Sequence, residues 1–158
     1  MHAQPELDNK IRNAVSTYST SLVRLAFTYT KNVQDAEDIV QDVFFTYLEK
    51  APSFVDDAHE KAWLIRVTVN KCKDALRKQK RAPLPLSEEI VSLPAEDRTL
   101  LLAVLALEEK YRLPLHLHYY EGYSIAEIAR ILHANPATVG SWLQRGRAHL
   151  KRQLEEGQ

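Results

Sequence analysis

The chain is expected to be all-α, built as two small helical domains joined by a flexible linker. Three observations carry that expectation. Apolar residues recur at spacings of three and four through most of the chain, the signature of helices with one buried face. Only four of the 158 residues are glycine, too few for a loop-rich or β architecture, while a hydrophobic content of 45% suffices for packed cores. A proline-bearing stretch without helical period, residues 82–97, divides the sequence into segments 1–81 and 98–156.

After a polar lead, Ile11, Val15, Tyr18, Leu22, Leu25 and Tyr29 form one continuous helical stripe. Lys31 and Asn32 interrupt it, and Asp35 is expected to cap a second helix with Ile39, Val40, Val43, Phe44, Tyr47 and Leu48 on its apolar face. The exposed side of that helix carries Asp35, Glu37, Asp38, Gln41 and Asp42. Acids near a helix N-terminus complement its dipole, and they also suit a basic partner surface. Ala51 to Asp56 breaks the pattern, and Asp57 with Glu60 offers the next cap. In the third helix Ile65, Val69, Cys72 and Leu76 make the core stripe, while Trp63, Arg66, Asn70, Lys73 and Arg77 recur on another face. An aromatic ring that stacks, an amide that reads a base edge and cations that neutralise phosphates together suit a nucleic-acid strand.

Residues 82–97, APLPLSEEIVSLPAED, hold three prolines and four acids and read as a semi-extended linker. Helical pattern resumes near Arg98 with Leu101, Leu102, Leu105 and Ala106, then runs from Lys110 to Tyr120, with Pro114 expected in the first turn of that second piece. Glu121-Gly122 ends it. Ser124 and Glu127 then have the spacing of a capping box, followed by Ile125, Ile128, Ala129 and Leu132 on one face. His133-Ala134-Asn135 stops this helix, and Asn135-Pro136 starts another, because Asn caps well and Pro suits the first helical position. Val139, Leu143, Leu150 and Leu154 form its stripe, with Thr138, Ser141, Gln144 and Arg145 pointing away. Two helices, a three-residue turn and a polar outer face predict a helix-turn-helix whose second helix enters a DNA major groove. From Gln144 to Gln153 the charges are Arg145, Arg147, Lys151 and Arg152 with no acid, whereas a merely solvated helix usually mixes signs.

Formal net charge is zero, but the charges are segregated. Between Asp35 and Glu60 there are eight acids against Lys50 alone; between Lys61 and Arg81 there are eight Lys or Arg against Asp74 alone. One surface should seek a cationic partner and another an anionic one. The single cysteine, Cys72, precludes an internal disulfide and fits a reducing compartment. No apolar run has the length of a membrane span, and the first ten residues are too polar for a signal peptide, so a cytoplasmic location is expected. His116 and His118 fall on different helix faces without a Cys or carboxylate cluster, which argues against a metal site. No phosphate loop or nucleophile–base pair is present, so neither a cofactor nor an enzymatic activity is expected.

With these elements in hand, the sequence resembles the extracytoplasmic-function (ECF) sigma factors, the smallest sigma-70 type subunits of bacterial RNA polymerase. DAEDIVQDVFFTYLEK (Asp35 to Lys50) is similar to the family's polymerase-binding helix, and KAWLIRVTVNKCKDALRKQKR (Lys61 to Arg81) to its minus-ten promoter helix. EKYRLPLHLHYYEGYSIAEIARIL with NPATVGSWLQRGRAHL is similar to its minus-35 helix-turn-helix. The resemblance implies a protein that binds core polymerase, recognises both promoter elements and melts DNA without hydrolysing nucleotide. Asp35, Asp38, Gln41 and Asp42 would meet the clamp of the largest polymerase subunit. Phe54, Val55, Asp56 and Asp57 would form the loop that pockets a flipped minus-ten base, with Trp63, Arg66, Asn70, Lys73 and Arg77 along the melted strand. Ser124, Thr138, Ser141, Gln144 and Arg145 would face the minus-35 element, with Arg147 and Lys151 on phosphates. The linker would run near the RNA path, the C-terminal domain would sit on the flap of the second-largest subunit, and an anti-sigma factor is an expected partner. No small-molecule substrate and no direct membrane insertion are implied. The sequence departs from the family at Gly140, where a basic residue is common, at Trp142, often Arg, and at His133, often Gly. The alternative is a two-domain helix-turn-helix regulator acting without polymerase core, which would have no need of the acidic Asp35–Asp42 surface.

Overall fold

Among residues 5–78 and 92–156, which the computed structural model describes, there are seven α-helices, a short π-helical turn and no strand. The chain divides into two compact units, 1–82 and 83–158. Most of the expected linker (82–91) and the tail 157–158 lie outside the described residues, as do 79–81, which close the cationic run. Ala95, Glu96 and Asp97, expected in the linker, belong to the first described helix of the second unit.

The first unit is a three-helix bundle of α1 (Pro5–Thr30), α2 (Val33–Lys50) and α3 (Asp57–Lys78), each packed on the other two. Leu22, Leu25, Ala26 and Tyr29 of α1 meet Ile39, Val40, Val43, Phe44 and Tyr47 of α2 and Leu64, Ile65, Val69 and Cys72 of α3 in the core. The buried stripes are slightly narrower than expected: Val15 and Leu48 are each 39% exposed and Leu76 41%. Leu64 and Thr68, absent from the expected stripe, are fully buried.

Two caps also differ from expectation. Lys31 takes a left-handed φ of 58°, and Asn32 rather than Asp35 caps α2, its Oδ1 accepting from the Asp35 amide at 2.9 Å. Asn32 is extended (φ −148°) and therefore leaves its side chain free to turn back on the third helical amide, the geometry a cap requires. Before α3, the Asp56 Oδ1 accepts from the His59 amide at 2.8 Å, so the cap is Asp56 and not Asp57. Glu60 is freed by this for a contact with α2, described below.

In the second unit α4 (Ala95–Leu105), α5 (Glu109–Leu115), α6 (Ile125–Leu132) and α7 (Pro136–Glu156) enclose Leu105, Leu107, Tyr111, Leu113, Leu115, Leu117, Ile128, Ile131, Val139 and Leu143. Helix α7 packs against α4, α5 and α6. Pro114 is not in the first turn of its helix, because α5 begins at Glu109 and places it near the C-terminal end. A proline there supplies no amide to the ladder, and directly after it the chain widens into a π turn, His116–Tyr120, closed by the Glu121 amide on the His116 carbonyl at 3.1 Å. Gly122, at φ 81°, then reverses the chain. On α6 the buried residues are Ile128, Ala129 and Ile131; Ile125 is 36% exposed, so the apolar face is rotated from the expected one.

Candidate nucleic-acid interface

The capping box is present in both directions: the Ser124 Oγ accepts from the Glu127 amide at 3.1 Å, and Glu127 Oε1 accepts from the Ser124 amide at 3.0 Å. Ser124, expected at DNA, therefore first defines the start of α6. His133 ends α6 in the left-handed region (φ 54°), the conformation for which glycine is the usual residue. Asn135 Oδ1 accepts from the Ala137 amide at 2.9 Å and starts α7 behind Pro136. Local chemistry thus sets both ends of the turn.

Around α7, at roughly 100° per residue, Thr138, Ser141, Arg145 and Arg152 fall within about 60° of one another. This strip lies opposite Val139 and Leu143, which are buried, and its Thr138, Arg145 and Arg152 are exposed. Gly140, Gln144, Arg147 and Lys151 form a second strip on one flank, so Gln144 borders the Arg145 face rather than sharing its centre. Arg147 Nη1 donates to the Tyr119 hydroxyl, and its guanidinium lies 5.8 Å from the Tyr119 ring centroid. No local pattern points to this tie, because Tyr119 sits in what reads as one more turn of an apolar helix. Gly146 is a second residue outside the sequence expectations. A Cβ there would stand 2.9 Å from Leu115 Cδ1 and 3.2 Å from Tyr111 Cβ, which makes it the point of close approach between α5 and α7. A glycine inside a strong helical pattern was the available signal.

His116 and His118 are drawn into different contacts. The buried His116 faces the Glu121 carboxylate at 3.1 Å and stacks on Tyr120 with centroids 5.4 Å apart, while His118 Nδ1 meets the Tyr123 carbonyl at 2.8 Å. They secure the π turn and the approach to α6.

In the first unit the loop between α2 and α3 is tied down on several sides. Ala51, left-handed at φ 41°, closes α2 with its amide on the Tyr47 carbonyl. Phe54 sits among Tyr47, His59 and Trp63, with centroids 6.0, 5.2 and 5.8 Å away. Trp63 in turn meets Tyr47 edge-on at 5.7 Å and is half-buried, so it serves packing as well as presenting a face. Val55 projects beyond this cluster, 87% exposed, and its amide donates to His59 Nδ1 at 3.2 Å. Along α3, Asn70, Lys73 and Arg77 are exposed and Arg66 is half-buried; Arg77 is paired with Asp74 at the surface.

Tyr47 donates to Glu60 Oε2 at 2.6 Å, joining α2 to α3 beneath the loop. Burial, then this bond to the carboxylate, holds the Tyr47 phenol well above its ordinary value. Tyr18 is raised as well, by burial and then by the negative charges of Glu60 and Asp57.

On α2, Glu37, Asp38, Gln41 and Asp42 are exposed, with Asp35 half-buried at the capped end. Glu37 and Gln41 also line an apolar trough of about 450 Å³ between α1 and α2, with Ile11, Val15, Val40, Phe44, Phe45 and Leu48 among its other walls. Phe45, 56% exposed, was not anticipated; the core residues Val43 and Phe44 before it mask its outward position in the sequence. No cluster of three or more His, Cys, Asp or Glu suited to a metal ion occurs among the described residues. None of the described helices is long and apolar enough to cross a membrane.

The family model Sigma-70 region 2 matches residues 14–82, and Sigma-70, region 4 matches residues 97–150. The chain is 36% identical over 141 residues to the ECF RNA polymerase sigma factor SigM of Mycobacterium tuberculosis, covering 84% of this chain and 71% of that protein. It is 29% identical over 163 residues to the ECF RNA polymerase sigma factor SigW of Bacillus subtilis, covering 90% and 87%. The fold is similar to that of the sigma factor RpoE solved with the anti-sigma factor NepR from Bartonella quintana, with TM-score 0.73 and 20% identity over 92% of this chain and 97% of that one. It is similar also to CnrH, solved with the cytosolic domain of CnrY, with TM-score 0.74 and 22% identity over 96% and 91%. Two matched sigma-70 regions in chain order, and a relative above 30% identity across most of its length, place this chain among the ECF RNA polymerase sigma factors of the sigma-70 family.

Proposed function

We propose that this sigma factor divides its work between its two units: residues 1–81 engage core polymerase and the minus-ten element, 82–97 link, and 98–156 read the minus-35 element. The observation that carries the reading is the segregation of charge onto separate exposed helix sides of the first unit. Asp38, Gln41 and Asp42 stand exposed on α2, whose Gln41 and Phe45 line the trough, while Asn70 and Lys73 stand exposed on α3, the helix that follows the Phe54 loop. A cationic polymerase surface, the clamp of the largest subunit, suits the first; a DNA strand suits the second. Asp35, half-buried near the capped end of α2, would contribute through its charge.

At the minus-ten element, Val55 and Phe54, with Asp56 and Asp57, would frame an extruded base, and Trp63, Arg66, Asn70, Lys73 and Arg77 would hold its strand. Extrusion costs a few kcal/mol, which contacts of this kind offset. At the minus-35 element, Arg145 with Ser141 and Thr138 would face base edges, Gln144 would reach from the border, and Lys151 with Arg147 would meet phosphates. Ser124 would act at the helix start. The second unit would rest on the flap of the second-largest subunit. An anti-sigma factor would restrain the protein, and its place of action would be the cytoplasm. The protein would act through binding alone, without catalysis of its own.

The test is replacement of Asp38 and Asp42 by Arg, followed by a fluorescence titration with core polymerase. Reversing charges at a close interfacial pair is expected to weaken binding by several kcal/mol, on the order of a hundredfold or more. Unchanged affinity would remove α2 from the polymerase interface. A regulator acting without core would show no such affinity to lose.

A further inference from the structure

We propose that Lys10, on the first helix, is a positioning residue for the 51–56 loop and thereby for base selection at the minus-ten element. The inference rests on the loop being the base-reading element, as argued above. Lys10 is forty-two residues from Pro52 in sequence, yet its ammonium donates to the Pro52 carbonyl. The same ammonium lies 4.9 Å from the Phe54 ring centroid and 5.7 Å from that of Tyr47. One cation therefore holds the loop backbone at Pro52 and is attracted to the faces of Phe54 and Tyr47.

The rest of the loop explains why such a tie matters. Its entry is a left-handed Ala51 and its exit is the Asp56 cap, but between them the backbone has no regular structure. Phe54 can pack on Tyr47, His59 and Trp63 in more than one tilt, because ring contacts at 5–6 Å are weakly directional. A charge-assisted bond to a carbonyl is directional and selects one loop shape. The Tyr47–Glu60 bond fixes the floor on which that shape rests. Lys10 thus connects α1, otherwise a structural helix here, to the geometry in which a base would be received.

The experiment is a selection, by holoenzyme, of fork-junction DNA randomised across the non-template minus-ten strand. Lys10→Met keeps the aliphatic stem and removes the charge; Lys10→Arg keeps a donor and a cation. The expected result for Lys10→Met is a loss of about fivefold to tenfold in preference at the most strongly selected base, less than the full worth of one bond to a charged group because Lys10 acts on the base only through the loop. Lys10→Arg should retain most of that preference, and affinity for core should stay as it was for both. A protein that is merely less stable would lose overall binding but keep its ranking of bases. Phe54→Ala separates the two ways of failing. If it loses selectivity while Lys10→Met keeps it, the positioning role alone is overturned. If neither changes selectivity, the loop is not the base reader and the proposal falls with that assignment.

Discussion

Alanine at Gly140 and alanine at Gly146 are expected to shift stability in opposite directions, although both replace a glycine inside the same 21-residue helix. Removing glycine from a helix interior is worth about 1 kcal/mol, because the unfolded chain has fewer states to lose. At Gly140 an added Cβ meets nothing within 4 Å, so this gain should appear almost whole. At Gly146 the added Cβ would stand 2.9 Å from Leu115 Cδ1, 3.3 Å from Leu115 Cγ and 3.2 Å from Tyr111 Cβ. Leu115 could swing its terminal methyl aside in an open site, but it is 6% exposed and Tyr111 is 7% exposed, so neither has room. Overpacking of a filled core costs typically 1–3 kcal/mol, which outweighs the glycine gain. Gly140→Ala should therefore be stabilising by ~0.5–1 kcal/mol and Gly146→Ala destabilising by up to ~2 kcal/mol, a gap of about 1–3 kcal/mol. Urea unfolding followed by Trp142 fluorescence reads the second unit alone once the other tryptophan is removed by Trp63→Phe. With equal slopes, the difference in midpoints gives the difference in stability. Equal midpoints for the two variants would refute the argument that Gly146 sets the approach of α5 to α7.

Two further outcomes follow from the same structure. Arg145→Ala should flatten preference at one or two minus-35 positions, since a bidentate base contact is worth about 1–3 kcal/mol of discrimination, whereas Lys151→Ala should weaken all sequences alike and lower the salt slope by about one phosphate's worth; selection from randomised minus-35 DNA and a salt titration distinguish them. The first unit should lose stability as pH rises above about 10, because there the unfolded chain gives up the Tyr47 proton that the folded chain retains. Below that pH both states hold the proton and the contribution is whole; Tyr47→Phe should cost about 1–2 kcal/mol at neutral pH for the lost bond to Glu60 and make the alkaline decline shallower, with Tyr18 sustaining the remainder. Urea midpoints from pH 8 to 11, read by Trp63 in a Trp142→Phe background, test this.

What could be read from the sequence was what repeats at short range. Helical periodicity gave the all-α class, and Ser124 with Glu127, or Asn135 with Pro136, gave the helix-turn-helix boundaries because a cap is a contact between residues two or three apart. The errors have the same origin. Asn32 and Asp35 are both good caps in sequence, and only the extended backbone at Asn32 decides between them. Pro114 reads as a first-turn residue because proline is tolerated there, whereas α5 ends one residue after it in a π continuation that has no sequence signature. Phe45 was hidden by buried neighbours. The contacts that shape the candidate sites, Lys10 with Pro52 and Arg147 with Tyr119, join residues 42 and 28 positions apart, and no local pattern encodes such a pairing.

The neutral total charge takes on a different meaning once the charges are assigned to surfaces. On the assignment proposed above, this sigma factor holds a cationic protein surface and a polyanion at the same time, and a chain with one dominant sign would bind one partner at the expense of the other. With 21 acids and 21 Lys or Arg the chain has no overall bias, yet α2 presents carboxylates while α3 and α7 present cations. Both kinds of contact weaken with salt, but by different laws. Binding to DNA releases condensed counterions and falls steeply with the number of phosphates neutralised, whereas binding between proteins through a few charges on an apolar trough is screened more gently. Raising salt should therefore strip the protein from free DNA well before it strips it from core polymerase. That ordering favours a route in which sigma joins polymerase first and reaches the promoter as part of the holoenzyme.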